Sequence, residues 1–195
     1  MAQPLSATDL LSLEQYARER PVIRARMIAH RAARRLQVGP HCTWSFEDRE
    51  TVRYQVQEML RTERIFEPEG IAEELASYNP LIPDGCNFKA TMLIEYTDPQ
   101  ERARRLAELR GIERHCWLQV AGFEQVYAIA DEDLPRENDI KTSAVHFLRF
   151  TLDAPSAAAL KAGAALAAGI ELAAYSARVD PVPTALRAAL LADLD

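Results

Sequence analysis

The chain has little of what marks the commoner functional classes. Three cysteines in 195 residues, Cys42, Cys86 and Cys116, are too few and too scattered for a disulfide framework or a cluster-binding set. Glycine is scarce, at seven residues, and the Gly-rich phosphate loops, the Gly-x-Ser-x-Gly nucleophile turn and Ser-x-x-Lys are all missing. Cys-x-x-Cys, Glu-x-x-His and His-x-x-x-His are missing too, which leaves no spacing that suits a zinc or diiron centre. No apolar run reaches the roughly 20 residues that cross a bilayer. The richest candidate, 157–172, is interrupted by Lys161 and two glycines. The first residues lack the basic start and apolar core of a signal peptide, so a cytoplasmic protein is expected. Net charge is −6, which argues against a general nucleic-acid binder.

What is present suits a folded domain: 48% hydrophobic and 27% charged residues, in a chain long enough to bury about 70% of its unfolded surface without metal or disulfide. A single domain over residues 1–195 is expected, with a helical part at about 8–80 and a sheet part at about 88–195. Thr8 can cap a first helix reaching Tyr16, and Pro21 suits the first turn of a second, from Val22 to about Leu36, stopped by Gly39-Pro40. A short extended piece follows at Cys42–Phe46. A third helix, from about Arg49 to Arg64, carries Val52, Val56, Met59 and Leu60 as a core-facing stripe. Pro68 opens a fourth helix that ends at Asn79-Pro80.

From Phe88 onward the order reads β-α-β-β-β-α-β. Ala90, Met92, Ile94 and Tyr96 share one face of a strand, and Thr91, Leu93 and Glu95 share the other. Asp98-Pro99-Gln100-Glu101 is a strong helix start. Strands are expected at His115–Val120, Phe123–Ala130, Ser143–Leu152 and Gly169–Val179, with helices after Asp153 and Pro183. The class is α+β: a helical N-terminal half packed on a mostly antiparallel, ferredoxin-like or related sheet.

Charge is distributed unevenly. Residues 18–35 hold seven arginines and one acid. On the second helix Ala25, Ala29, Ala32, Ala33 and Leu36 form a narrow face suited to close packing, while Arg24, Arg31 and Arg35 lie opposite, flanked by Ile28. That arginine face is a candidate anion site, or else pairs with the chain's own acids. On the third helix Tyr54, Glu58 and Arg61 lie opposite the apolar stripe. They form a solvated face with a Glu–Arg pair, or a protein-interaction surface. Glu95 and His146 sit within apolar strands, where burial would perturb their proton affinity, and they are the candidates for a dispersed acid–base site. His41-Cys42 and His115-Cys116 lie in extended chain, where neighbours point to opposite faces, so neither pair can give two ligands to one metal. The acidic stretch Asp131, Asp133, Asp139 fails the calcium-loop pattern at Pro135 and Arg136 and reads as a solvated loop.

Several runs have a family character: Gly39-Pro40, 46–52, 54–61, Glu63-Arg64-Ile65, Glu74-Leu75, 78–83, 90–95, and 143–150 with the closing helix. Together, over about Asp9 to Leu194, they resemble a bacterial family known as domain of unknown function 3501. The resemblance brings no catalytic residues, metal or cofactor. It implies a context, because genes of that family often lie beside those for rubrerythrin and for an iron–sulfur protein similar to heterodisulfide reductase subunits. Two functions are therefore carried forward. One is a non-catalytic accessory protein that binds an iron-containing redox partner in peroxide defence, through Tyr54, Glu58 and Arg61. The other is an enzyme acting on a small anionic substrate held by arginines.

Overall fold

The structure, a computed structural model, describes residues 3–132, 136 and 140–195. Its nine strands and six α-helices among the described residues confirm the α+β class. After a 3-10 turn at Ala7–Asp9, capped by Ser6, come α1 (Leu13–Ala32), β1 (Arg35–Val38), β2 (Cys42–Phe46), α2 (Arg49–Glu63) and α3 (Pro68–Tyr78). The second half adds β3 (Asn87–Ile94), α4 (Pro99–Glu108), β4 (Cys116–Val120), β5 (Val126–Tyr127) and β6 (Ile129–Ala130). It closes with β7 (Val145–Thr151), α5 (Ala154–Lys161), β8 (Leu166–Leu172), β9 (Tyr175–Val179) and α6 (Thr184–Leu191).

The strands divide between two antiparallel sheets, in the orders β1-β2-β3-β7-β6 and β5-β4-β8-β9, rather than forming one ferredoxin-like sheet. The first sheet reaches back into the helical half. Arg35 and Leu36, expected to end a helix, instead begin β1, which pairs with β2 across the Gly39-Pro40 turn. Gly39 has a φ of +72°, and a Cβ there would fall 2.5 Å from the Tyr175 hydroxyl. That hydroxyl donates to the Val38 carbonyl and accepts from the amides of His41 and Cys42. Only glycine leaves room for this contact. The expected strand at 123–130 is two short strands in different sheets, with the chain crossing between them at Ala128. The expected strand at 169–179 is the β8–β9 hairpin, turned at Ala173-Ala174.

The two sheets face each other. Trp44, Phe46, Phe88, Met92, Leu148 and Phe150 from the first meet Cys116, Leu118, Leu166, Ala168 and Ile170 from the second in one apolar core. Leu106, Leu160, Leu186 and Leu190 of α4, α5 and α6 join it. At roughly 1.5–3 kcal/mol per buried large side chain, this core is the main stabilising element of the molecule. The helical layer has a smaller core of its own, formed by Leu5, Val52, Val56, Leu60, Leu75 and Ile82.

Helix α1 is continuous through Pro21, contrary to the expected break. Ser12 caps it by accepting from the Gln15 amide, and Pro21 sits on the solvent side, where water can satisfy the carbonyl left without a donor. The helix also packs the other way round from expectation. Ala25, Ala29, Ala32 and Ala33 face solvent, and Tyr16, Met27 and Arg34 are buried. Size decides this, because a tyrosine and a methionine bury far more apolar area than four alanines. Arg34, just past the helix, is 3% exposed. It donates to the carbonyls of Phe46, Glu47 and Ala189 and pairs with Asp193, joining the helical layer, β2 and the C-terminus. Burial pushes the Asp193 carboxyl up to about 6 even beside that guanidinium, whose charge is shared with Asp48 at 3.3 Å.

Candidate functional site

Alternation along β3 produces two chemically different faces. Phe88, Ala90, Met92 and Ile94 enter the core, while Lys89, Thr91 and Leu93 are half-buried on the outer face. Ser45 of β2 and Val145, Phe147 and Arg149 of β7 continue that outer face, since the three strands pair in register. Helices α2 and α3 lie over it without filling the space between.

Two adjoining cavities result, sharing Tyr78, Leu81 and Phe147. The first, of about 300 Å³, is lined by Arg31, Ser45, Glu47, Thr51, Gln55 and Thr91 among others. The second, of about 440 Å³, is lined by Met59, Glu74, Lys89, Glu132, Arg136 and Arg149 among others. Together they form a cleft with an apolar middle and a basic group at each end. Clefts of this size, mostly apolar with a few convergent polar groups, are the usual form of a small-molecule site.

The polar groups of the cleft are in different states. Glu47 accepts from Thr91 Oγ1 at 2.7 Å and from Thr51 Oγ1 at 2.6 Å, so its carboxylate is fixed between strand and helix. Arg149 is committed to Glu132 through two hydrogen bonds of 2.8 Å. Arg136 lies over the Phe147 ring, 4.4 Å from its centroid. Arg31 lies 5.3 Å from the Tyr54 ring centroid and makes no ion pair among the described residues, leaving its guanidinium donors for a ligand. Lys89 donates to the Pro80 carbonyl at 2.6 Å. Burial lowers its proton affinity, and the Arg149 charge acts in the same direction. On the facing wall Glu74 Oε2 is shielded from water and has no hydrogen-bond partner among the described residues. Burial, with the charges of Glu63 and Glu73, raises the pKa of that carboxyl.

The residues singled out in the sequence scatter. Of the three arginines, Arg31 lines the cleft. Arg24 is exposed on α1, and Arg35, being in β1 and not on the helix, pairs with Glu95 at 3.8 Å. The three do not converge. Glu95 lies one residue beyond β3 and is exposed, not buried within the strand. His146 is fully buried but belongs to the inner face, across the sheet from the cleft. Its Nδ1 lies 2.6 Å from Asp131 and its Nε2 2.9 Å from Thr142 Oγ1, and Asp131 also accepts from the Phe147 amide. The acidic stretch is therefore anchored at Asp131, while Asp133 and Asp139 lie outside the described residues.

Tyr54, Glu58 and Arg61 do not make a flat exposed patch. Glu58 accepts from Tyr16 at 2.6 Å and from Arg20 at 2.7 Å twice, with Arg61 at 3.7 Å, and Tyr54 is half-buried under Arg31. This face is the contact surface between α2 and α1. Met59, expected in the core stripe, is half-buried in the cleft wall. Among the described residues no three His, Cys, Asp or Glu side chains form a metal-binding group, and no helix is long and apolar enough to cross a membrane.

Sequence reasoning missed Lys89, Glu47, Thr51, Glu74 and Phe147. The alternation of β3 identified its outer face correctly. Nothing in the sequence said that a helical layer would cover that face incompletely.

Comparison with known proteins is consistent with this architecture and silent on chemistry. A family model described as "Protein of unknown function (DUF3501)" matches residues 4–194. No curated protein matches. A crystal structure of a novel protein of unknown function from Burkholderia pseudomallei K96243 superposes with a TM-score of 0.91 at 48% identity, covering 99% of this chain and 100% of that one.

Proposed function

This chain belongs to the DUF3501 family of proteins of unknown function, and we propose that it binds, and acts on, a small anionic molecule in the cleft between the helical layer and the first sheet. The observation that carries this reading is the placement of charge. Arg31, with unused donors, stands at one end, Lys89 and Arg136 stand at the other, and Phe147, Tyr78 and Leu81 lie between. A ligand with an apolar or ring-shaped body and a carboxylate or phosphate meets both requirements. Of the three arginines expected to hold such a ligand, Arg31 alone is placed to do so. Calorimetric titration with small aromatic and aliphatic carboxylates and phosphates tests the reading. Binding should be lost or weakened at least about tenfold in Arg31→Gln, as for loss of a charge-assisted hydrogen bond, and unchanged in Arg24→Gln. Equal binding by both variants would contradict it.

A second reading, an accessory protein docking an iron-containing redox partner, is favoured by one surface. Helix α1 leaves two large apolar side chains in solvent, Val22 and Ile28, 75% and 58% exposed. Pull-down from cells with a Val22→Asp/Ile28→Asp variant tests it, since the redox partner should be retained by the unmodified chain and lost by the variant. Both readings suit a cytoplasmic protein, in keeping with the free thiols Cys42, Cys86 and Cys116.

A further inference from the structure

Of the 23 lysines and arginines in the chain only three are lysine: Lys89, Lys141 and Lys161. Lys161 donates to the Asp195 carbonyl, and neither it nor Lys141 lines the cleft. Lys89 stands on the cleft floor, directly across the strand pair from Arg149. The distinction is chemical, because a guanidinium keeps its proton under all ordinary conditions while an ammonium can lose one and become a nucleophile.

The surroundings favour that loss. Burial is the largest influence on Lys89, and it disfavours the charged form. Arg149 adds repulsion, and the carboxylates of Asp84 and Glu132 oppose it. Desolvation next to a second cation is the arrangement that activates amine nucleophiles in general. Across the same cavity, burial and the charges of Glu63 and Glu73 raise the pKa of the Glu74 carboxyl. Its Oε2 has no hydrogen-bond partner among the described residues. The Lys89 amine, the Glu74 carboxyl and two arginines, Arg136 and Arg149, thus line one cavity.

We propose that Lys89 is a reactive amine that condenses with the carbonyl group of a small aldehyde or ketone carrying an anionic group. The idea rests on the reading of the cleft as a small-anion site. Nζ, having given up its ammonium proton, adds to the carbonyl carbon, forming a C–N bond while the π electrons pass to oxygen, and one of the two remaining nitrogen protons then moves to that oxygen. The resulting carbinolamine takes a further proton, from Glu74, as its hydroxyl leaves as water, and the nitrogen lone pair closes the C=N bond. No oxidant or reductant is consumed. Arg31, at the other end of the cleft, is placed to hold the anionic group, and Phe147 with Tyr78, between the two ends, the body of the molecule.

Pyridoxal 5′-phosphate is a suitable probe, since it combines an aldehyde, a ring and a phosphate. The full chain is incubated with it, reduced with borohydride and mapped by peptide mass spectrometry. The expected result is one adduct per chain on Lys89, absent in Lys89→Arg and formed roughly tenfold or more slowly in Glu74→Gln, as loss of a general acid requires. Pyridoxine 5′-phosphate, which has no carbonyl, measures the cleft alone. It should bind the parent chain, and a thermal melt shows separately that Lys89→Arg is folded. If it binds but no adduct forms on Lys89, or adducts spread evenly over the three lysines, the reactive amine is overturned and the cleft reading stands. If neither compound binds, both are overturned.

Discussion

Glu58 accepts three hydrogen bonds from α1, two of them from the Arg20 guanidinium, and this pairing holds its carboxyl at about 2. Its folded pKa is depressed below the ordinary 4.5. The stability it contributes is therefore present above about pH 4.5 and lost as pH falls towards 2. Glu58→Gln should lower stability at neutral pH and flatten the acid dependence in that window, as measured by urea melts at several pH values. An unchanged acid profile would mean that the pair adds nothing. Neighbouring positions on α2 separate packing from site. Leu60 is 2% exposed, so Leu60→Ala should cost roughly 2–5 kcal/mol. Met59 borders the cleft, so Met59→Ala should cost well under that range while altering ligand affinity. Denaturant melts of the two variants decide the matter. From sequence the two residues look alike, because helical spacing puts both on one stripe and only the gap above the sheet tells them apart.

At the scale of elements, sequence pattern and structure differ where a local signal has more than one use. Pro21 can open a helix or sit on the solvent side of one, and Ser12, three residues before Gln15, was the cap that mattered. Gly39-Pro40 stops a helix as readily as it turns a hairpin. Here the Tyr175 hydroxyl, distant in sequence, decides for the hairpin. The β8–β9 turn at Ala173-Ala174 has no glycine, asparagine or proline, so no turn signal was there to read. The starts of α4 and α5 were legible because their caps are local. Asp98 accepts from the Glu101 amide at 2.7 Å and Asp153 from the Ser156 amide at 2.8 Å. Within the second sheet, Gly169 lies under Trp117, where an added Cβ would fall 2.3 Å from the ring and 2.8 Å from the Ala177 carbonyl. Gly169→Ala should therefore destabilise by roughly 1–3 kcal/mol through overpacking. A neutral effect in thermal melts would show that β9 can shift at little cost.

Across the whole molecule, two sheets supply a rigid core, and a thinner helical layer covers one outer face, joined to the rest through Arg34. A cleft between such layers is held by rigid elements on both sides, which suits a preorganised site. The arginine-rich segment of the sequence did contain a cleft residue, Arg31. Its partners come from β3, β7, α2 and α3, and their convergence depends on a packing that no single segment encodes. The central claim, that this cleft takes a small anion, is tested most directly by titrating the isotopically labelled chain with pyridoxine 5′-phosphate and following its amide resonances. The account predicts saturable shifts at Arg31, Lys89, Thr91, Phe147 and their neighbours, with Val22, Arg24 and Ile28, exposed on α1, unmoved. Shifts confined to α1's solvent side, or none at saturating ligand, would contradict it.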